Sequence, residues 1–375
     1  MSTIAVNAIT DASAGNTTTI NGVTPNSANV VGKNLVINGA MQIAQRGTST
    51  TGVTVSGYFA CDRFKTILTS LGTWTVEQST DAPDGFSNSL KHSCTTADAS
   101  PAAGDVLYLS QIIESQNLQQ LAKGTTSAKS LTCSFWVKSN KTGTYIVGLQ
   151  EFQNTRYIAN SYTINAANTW EKKTITFAGD TTGTLANDNS AGLYLQFYLG
   201  VGSDYSSGTL ATSWESTVNA NRAVGQVNLA DSTSNYINIT GVQLEVGESA
   251  TEFEHRPYGT ELQLCQRYLP WFGSGADDQI GIGYATGSTT WLIFIPWKVQ
   301  TRVAPTGIIH GTDSNFNVGG PTSSGIACTA LNFSAAGTSG GRVTGSVSSG
   351  LSSGQGTFLR SQNTSGYLYF TGCEL

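Results

Sequence analysis

The chain has 375 residues, enough for two or three domains with cores of their own. Only 11% of residues are charged and 42 are glycine, against about 25% charge in ordinary soluble domains. That composition suits turn-rich all-β structure and suits helical enzymes poorly. The net charge of −5 and pI near 5.2 leave no basic stripe to neutralise phosphates, which argues against nucleic-acid binding.

No apolar run is long enough to cross a bilayer, so no membrane insertion is expected. The opening MSTIAVNAITDASAGN lacks a basic region followed by an apolar core, so it does not read as a secretory signal. The protein is expected to be made in a cytoplasm and to leave it by assembly or lysis. Residues 1–33 are polar and turn-rich, and read either as a tail or as an extended arm that orders on another protein. The strand pattern begins at Lys33, where NLVINGAMQIAQRG gives two short apolar segments broken by the turn pair Asn38-Gly39. GYFACDRFK then sets Asp62 beside Arg63, a catalytic carboxylate or an ion pair anchoring a loop.

LYLSQIIESQNLQQL, residues 107–121, starts as a strand and ends as a helical turn. In LTCSFWVKS, Leu131, Cys133, Phe135 and Val137 share one face, opposite Thr132, Ser134, Trp136 and Lys138. In LYLQFYLG, Leu193, Leu195, Phe197 and Leu199 oppose Tyr194, Gln196 and Tyr198. TYIVGLQEF and TWEKKTITFAG add two strands, and turn clusters such as GDTTGT separate them. This spacing predicts a two-sheet antiparallel sandwich over 34–256. In its closing strand the alternation slips between Ile237, Ile239 and Val242, Leu244, Val246, which predicts a β-bulge at Thr240-Gly241.

Pro257 and Gly259 punctuate, and Leu262, Cys265, Tyr268 and Leu269 recur at helical spacing, which predicts a linker helix over 257–270. Residues 271–375 form a second, Gly/Ser-rich β domain. Its TWLIFIPWK is apolar on both faces, Trp291, Ile293, Ile295 and Trp297 opposing Leu292 and Phe294, and the terminal GYLYFTGCEL is likewise two-sided. Two-sided strands in so short a domain predict burial against other subunits, with Leu262, Cys265, Tyr268, Leu269, Trp291, Ile293, Ile295 and Trp297 at the interface.

The run GVQLEVGESATEFEHRPYGTELQLCQRY resembles the segment that ends the sugar-binding-type jelly-roll module of many bacteriophage tail fibre proteins. TTINGVTPNSANVVGKNLVINGAMQIAQRG with YFACDRF resembles the opening of these modules, and SLTCSFWVKSNKTGTY with WEKKTITFAGDTTGT resembles their central strands. FIPWKVQTRVAPT and YLYFTGCEL resemble the C-terminal module that often follows. The resemblance implies a homotrimeric virion protein of a tail fibre or appendage. Its N-terminal arm would attach to another virion protein, and its distal part would recognise a bacterial surface polysaccharide.

Six cysteines, Cys61, Cys94, Cys133, Cys265, Cys328 and Cys373, have no close pairs and are expected to be buried free thiols. His92, His255 and His310 share no metal-ligand spacing, and no cofactor or metal is expected. A depolymerase needs two carboxylates about 5 or about 6.5–9.5 Å apart. Glu114, Glu151, Glu245, Glu248, Glu252 and Glu254 are the candidates, the last three in a turn where pairing with Arg256 accounts for them. No catalytic residue is expected. Sugars are held by stacking on aromatic rings with amides fixing orientation, which selects the outward stripe Tyr194, Gln196 and Tyr198 with Trp136 on an adjacent strand; cover by a neighbouring subunit is the alternative for this face. Tyr157, Tyr162, Trp170, Trp214 and the loops 273–279 and 310–325 are looser candidates. A purely structural capsid or tail adaptor is the alternative to receptor binding, and a polysaccharide depolymerase is a third reading.

Overall fold

The computed structural model describes residues 32–273, 275–320 and 325–375. The expected N-terminal arm therefore lies outside the described residues except for Gly32 and Lys33. The fold is all-β, an antiparallel jelly-roll sandwich followed by a short helix and a smaller β domain.

One sheet of the sandwich has six strands in the order Ser49–Val53, Thr73–Ser79, Ser89–Thr96, Tyr236–Val246, Leu131–Ser139, Glu171–Phe177. The other has seven, ordered Glu215–Ser216, Arg156–Ile164, Gly143–Glu151, Ala191–Val201, Val106–Glu114, Lys65–Thr69, Gly57–Tyr58. The period-2 faces meet between them. Cys133, Phe135 and Val137 pack with Leu195, Phe197 and Leu199 in one core, and Phe135 sits edge-on to Phe197 at 4.9 Å between ring centroids. The strand from Val106 runs to Glu114 and gives way to a 3-10 turn at Ser115–Leu121, as its pattern predicts.

The predicted bulge is present. Register on Leu131–Ser139 slips between Thr240 and Gln243, and Gly241 takes φ 60°. A Cβ there would come within 2.7 Å of Phe86 and 3.0 Å of Trp136, so a side chain is excluded by space as well as by backbone. Asn38 also turns with positive φ, its side chain holding the Ile43 N–H and carbonyl. Its flanking apolar segments, however, are irregular loops, because their hydrogen bonds go to side chains such as Asn34 and Gln111.

The acidic turn before Arg256 clamps this opening loop. Glu254 accepts from the Asn34 N–H at 2.8 Å, and Arg256 donates to the carbonyls of Val36 at 3.0 Å and of Asn34. The helix Tyr258–Gln266 follows Pro257, turns Glu261 and Cys265 inward, and is stopped by Pro270. Glu261 accepts from the Asn38 N–H.

Beyond the helix, six strands close into a barrel in the order Gln279–Ala285, Thr290–Pro296, Gly340–Val347, Ile326–Ala336, Phe316–Gly319, Gly356–Ser361. A three-stranded sheet, Trp271–Phe272, Leu368–Thr371, Gly307–His310, leans on it. Here the interface assignment needs correcting. Trp291, Ile293, Ile295 and Trp297 belong to the barrel's own core, and a Cβ at Gly345 would lie 2.3 Å from the Trp291 ring that fills the space above it. Cys265, Tyr268 and Leu269 are buried within the same chain, and Leu262 is half-buried. Closure of the barrel covers the Trp291, Ile293 and Ile295 face of this strand from within the chain, while Phe294 on the other face stays exposed.

The sandwich and the C-terminal part share buried polar contacts. Glu114 accepts from Arg267 Nε and Nη2 at 2.8 Å each and from the Tyr268 hydroxyl at 2.5 Å. Arg63 stacks on the Tyr268 ring at 3.4 Å, so half of the Asp62-Arg63 pair anchors the linker. Arg302 donates to the carbonyls of Asn189, Cys373 and Glu374, and Tyr58 donates to the Leu375 carbonyl at 2.7 Å. All six cysteines are free and buried.

Candidate functional site

Strand alternation turns Gln150, Tyr157, Gln196 and Tyr198 away from the sandwich core, onto the outer face of the seven-stranded sheet. Gly148 on the same face leaves room for the Tyr157 hydroxyl. The connection between Val201 and Tyr236 folds back over this face, carrying 3-10 turns at Ser203–Tyr205 and Asn219–Asn221. It is tied down by the Ala159 N–H donating to Ala211 O at 2.7 Å.

The connection inserts Arg222 into the polar residues of the sheet. Arg222 Nε donates to the Tyr198 hydroxyl at 2.9 Å, and Nη2 donates to Gln150 Oε1 at 3.0 Å and Gln196 Oε1 at 3.2 Å. The Tyr157 hydroxyl donates back to the Arg222 carbonyl at 2.9 Å. The guanidinium lies 5.5–5.9 Å from the ring centroids of Tyr108, Tyr157, Tyr198 and Tyr205. Burying a charge is costly unless its donors are met, and here dipoles and π faces meet them. Burial pushes the Tyr198 phenol up to about 12, so it stays a neutral hydrogen-bond partner.

The expected stripe is therefore not an open surface. Gln196 and Tyr198 are buried under the chain's own connection, and Trp136 stands on the opposite sheet, paired with Lys172 and Thr240. Of the four residues, Tyr194 alone is on the outer face without being fully buried; it is half-buried on the central strand of the sheet. Phe152, 49% exposed, packs on it at 4.4 Å between centroids, with half-buried Tyr108 and Tyr205 on the same side of the sheet. Phe152, Tyr108 and Arg222 were missed in the sequence because nothing local marks them. Only the strand pairing brings Phe152 to Tyr194, and only the return of the connection brings Arg222 to Tyr108 and Tyr198.

The looser candidates are engaged in structure. Tyr157 and Tyr162 are buried, Trp170 Nε1 donates to Asp81 at 3.1 Å, and Trp214 Nε1 donates to the Ala178 carbonyl at 2.7 Å. The loops 273–279 and 310–325 lie partly outside the described residues.

The carboxylates are committed as acceptors. Burial acts to raise the Glu114 carboxyl, but hydrogen bonds from Arg267 and Tyr268 outweigh it and hold it below the usual carboxylate range. Glu151 pairs with Lys123 at 3.2 Å, and Glu245 accepts from Thr251 N at 2.9 Å and Oγ1 at 2.8 Å. Glu254 clamps the opening loop, while Glu248 and Glu252 are exposed. Burial lowers His92 to about 4, which leaves it neutral beside Thr66 Oγ1 at 2.9 Å. Among the described residues no group of His, Cys, Asp and Glu has the arrangement to hold a metal ion, and no helix is long and apolar enough to cross a membrane.

No family model and no curated protein matches the chain. Among solved structures, the enzymatically active domain of tailspike protein 4 from bacteriophage CBA120 is 18% identical over 57% of this chain, with a TM-score of 0.28. The match covers 21% of that chain. A putative sugar binding protein from Bacteroides thetaiotaomicron is 13% identical over 57% of this chain and 100% of its own, at a TM-score of 0.32. The family 11 carbohydrate-binding module from Clostridium thermocellum is 12% identical over 56% of this chain and 98% of its own, at 0.27. At such identities and scores these likenesses carry no functional argument, and the case for function rests on the residues of this chain.

Proposed function

We propose that this chain is a non-enzymatic bacteriophage virion fibre protein that reads a bacterial surface glycan through the aromatic margin of its sandwich. The observation that carries the reading is the exposed Phe152 packed on half-buried Tyr194, whose cross-strand partner Gln150 belongs to the Arg222 network. Flat rings on a stiff base suit the apolar faces of sugars. The order of tail-fibre-like segments along the sequence supports the virion setting, with attachment through the N-terminal arm. The engagement of four of the six candidate carboxylates supports a binding rather than a hydrolytic role.

The proposal includes homotrimer assembly, with the contact moved to the outer wall of the barrel. There Ile282 is 72% and Phe294 50% exposed, and the two are cross-strand partners. A structural fibre or adaptor without receptor binding is favoured instead by the burial of Gln196 and Tyr198. Adsorption assays decide between the two. Excess free protein should block phage adsorption, and the double change Tyr194→Ala, Phe152→Ala should relieve the block. Undiminished adsorption with wild-type protein would leave the structural role. Release of reducing ends from host polysaccharide would overturn the non-enzymatic reading.

A further inference from the structure

A second concavity lies where the helix meets the opening loop of the sandwich and the start of the C-terminal domain. Gln45, Tyr258, Gln266, Trp271, Asp278 and Lys298 contribute to its lining, and its volume is about 320 Å³. That falls in the range of small-ligand sites, about 300–1,000 Å³.

Its polar groups are arranged as if for a ligand. Gln45 Nε2 donates to Asp62 Oδ2 at 2.5 Å and to the Leu269 carbonyl at 3.4 Å, which fixes the amide and leaves Oε1 as an acceptor without a donor among the described residues. Gln266, in the last turn of the helix, is 7% exposed, yet its side chain forms no hydrogen bond among the described residues. Its amide is not among the buried side-chain groups that lack a partner, so it opens onto the cavity and can be met by whatever occupies it. An amide fixed on a cavity wall with no protein partner offers a donor and an acceptor to a ligand.

The aromatic wall is rigid. Trp271 stacks on Tyr369 at 4.8 Å and 9° and on Tyr367 at 5.4 Å and 15°, and Trp271 and Tyr369 are also cross-strand partners. At the rim, Asp278 Oδ2 accepts from the Gly275 N–H at 2.8 Å, and exposed Lys298 has no carboxylate partner among the described residues.

We infer that this groove binds a saccharide unit, with a pyranose face on Trp271 and its hydroxyls read by Gln45 Oε1 and the Gln266 amide. The chemistry selects the class. Vicinal hydroxyls both donate and accept, matching one bare acceptor, one complete amide, and rim groups of opposite charge. A lipid chain would leave Gln266 unsatisfied, and an anion would meet Asp278 as well as Lys298. The inference shares its ligand class with the glycan reading above but not its site, and it deepens that reading by adding a second contact near the joint between the two folded parts.

The test is saturation-transfer NMR on the full chain. The probes are neutral hexose, N-acetylhexosamine and hexuronate oligosaccharides, with thermal melting in parallel. Gln266→Leu keeps the shape and removes an amide that no protein group bonds, so its Tm should be nearly unchanged while affinity for the bound probe falls about tenfold. Trp271→Ala should lose the signal. The double change Tyr194→Ala, Phe152→Ala should leave the groove signal intact. Loss of signal only in that double variant would overturn the groove and leave the sandwich site standing. Loss only in the groove variants would support the groove and remove the sandwich margin as the reader. Binding unaffected by both groove variants, or no transfer to any probe with the wild-type chain, would overturn the inference.

Discussion

The sandwich and the barrel solve the same problem in opposite ways. Each is built from strands with one apolar and one mixed face, but the sandwich covers its mixed face with its own chain. It does so by inserting charges into prepared oxygens: Arg222 among Gln150, Gln196 and Tyr198, and Lys123 among the carbonyls of Thr182 and Gly183 at 2.9 Å and the carboxylates of Glu151 and Asp180 at 3.2 Å. The barrel fills its interior tightly and leaves Ile282, Tyr284 and Phe294 bare outside. The difference teaches where partners belong. A face completed internally is scaffold, whereas a bare apolar wall or an unpartnered amide is an invitation.

The strongest way to break the sandwich's internal completion is Lys123→Met. It leaves Glu151 and Asp180 as buried carboxylates without their shared cation, and removal of one partner of a buried ion pair costs about 3–5 kcal/mol. Urea denaturation should show that loss. A loss under about 1 kcal/mol would mean the cluster is solvated.

Arg222→Leu should cost less, about 1–3 kcal/mol, because the acceptors it leaves are neutral. Hydrogen exchange should then rise across 203–223 and leave the strands 131–139 and 236–246 protected. Uniform exchange would mean the connection is not separately held.

The joint between the regions should respond to pH. Burial pushes the Asp62 carboxyl up to about 7, against the opposing effects of Arg46 and Gln45, while buried Glu374 adds to the rise. A raised folded-state value means the folded chain holds this proton more tightly than the unfolded chain. The contribution is thus fully present below the unfolded value of 3.8 and is lost as pH rises toward about 7. Asp62→Asn should remove that slope, so the Tm difference between variant and wild type should change from about pH 4 to about pH 7 and level off above. A difference constant with pH would refute the assignment.

The smallest stability effect is expected on the barrel wall. Phe294→Asp with Ile282→Asp should change chain stability by only about 0.5 kcal/mol per site, yet light scattering should show the proposed trimer falling to monomer. An intact trimer would move the contact elsewhere.

Much of the secondary structure was legible in the residues because its causes are local. Leu131 to Val137 and Leu193 to Leu199 declare their inner faces by alternation, Gly241 marks the bulge, and Pro257 marks the start of the helix. The candidate sites were legible only in fragments. Tyr194 was marked by its strand, but its neighbour Phe152 comes from another hairpin, and Trp136 shares its character without sharing its sheet.

The sequence by itself determined the alternating faces of strands such as 131–139 and 191–201, the bulge at Gly241 and the helix after Pro257. These follow from backbone geometry and nearest neighbours. Tertiary structure alone decided what covers each outward face. Tyr198 is closed by Arg222, Trp291 by a barrel whose last strand is Gly356–Ser361, and Gln266 by nothing within the described residues. Burial of that kind depends on which distant segment returns to a surface, and strand periodicity carries no record of it.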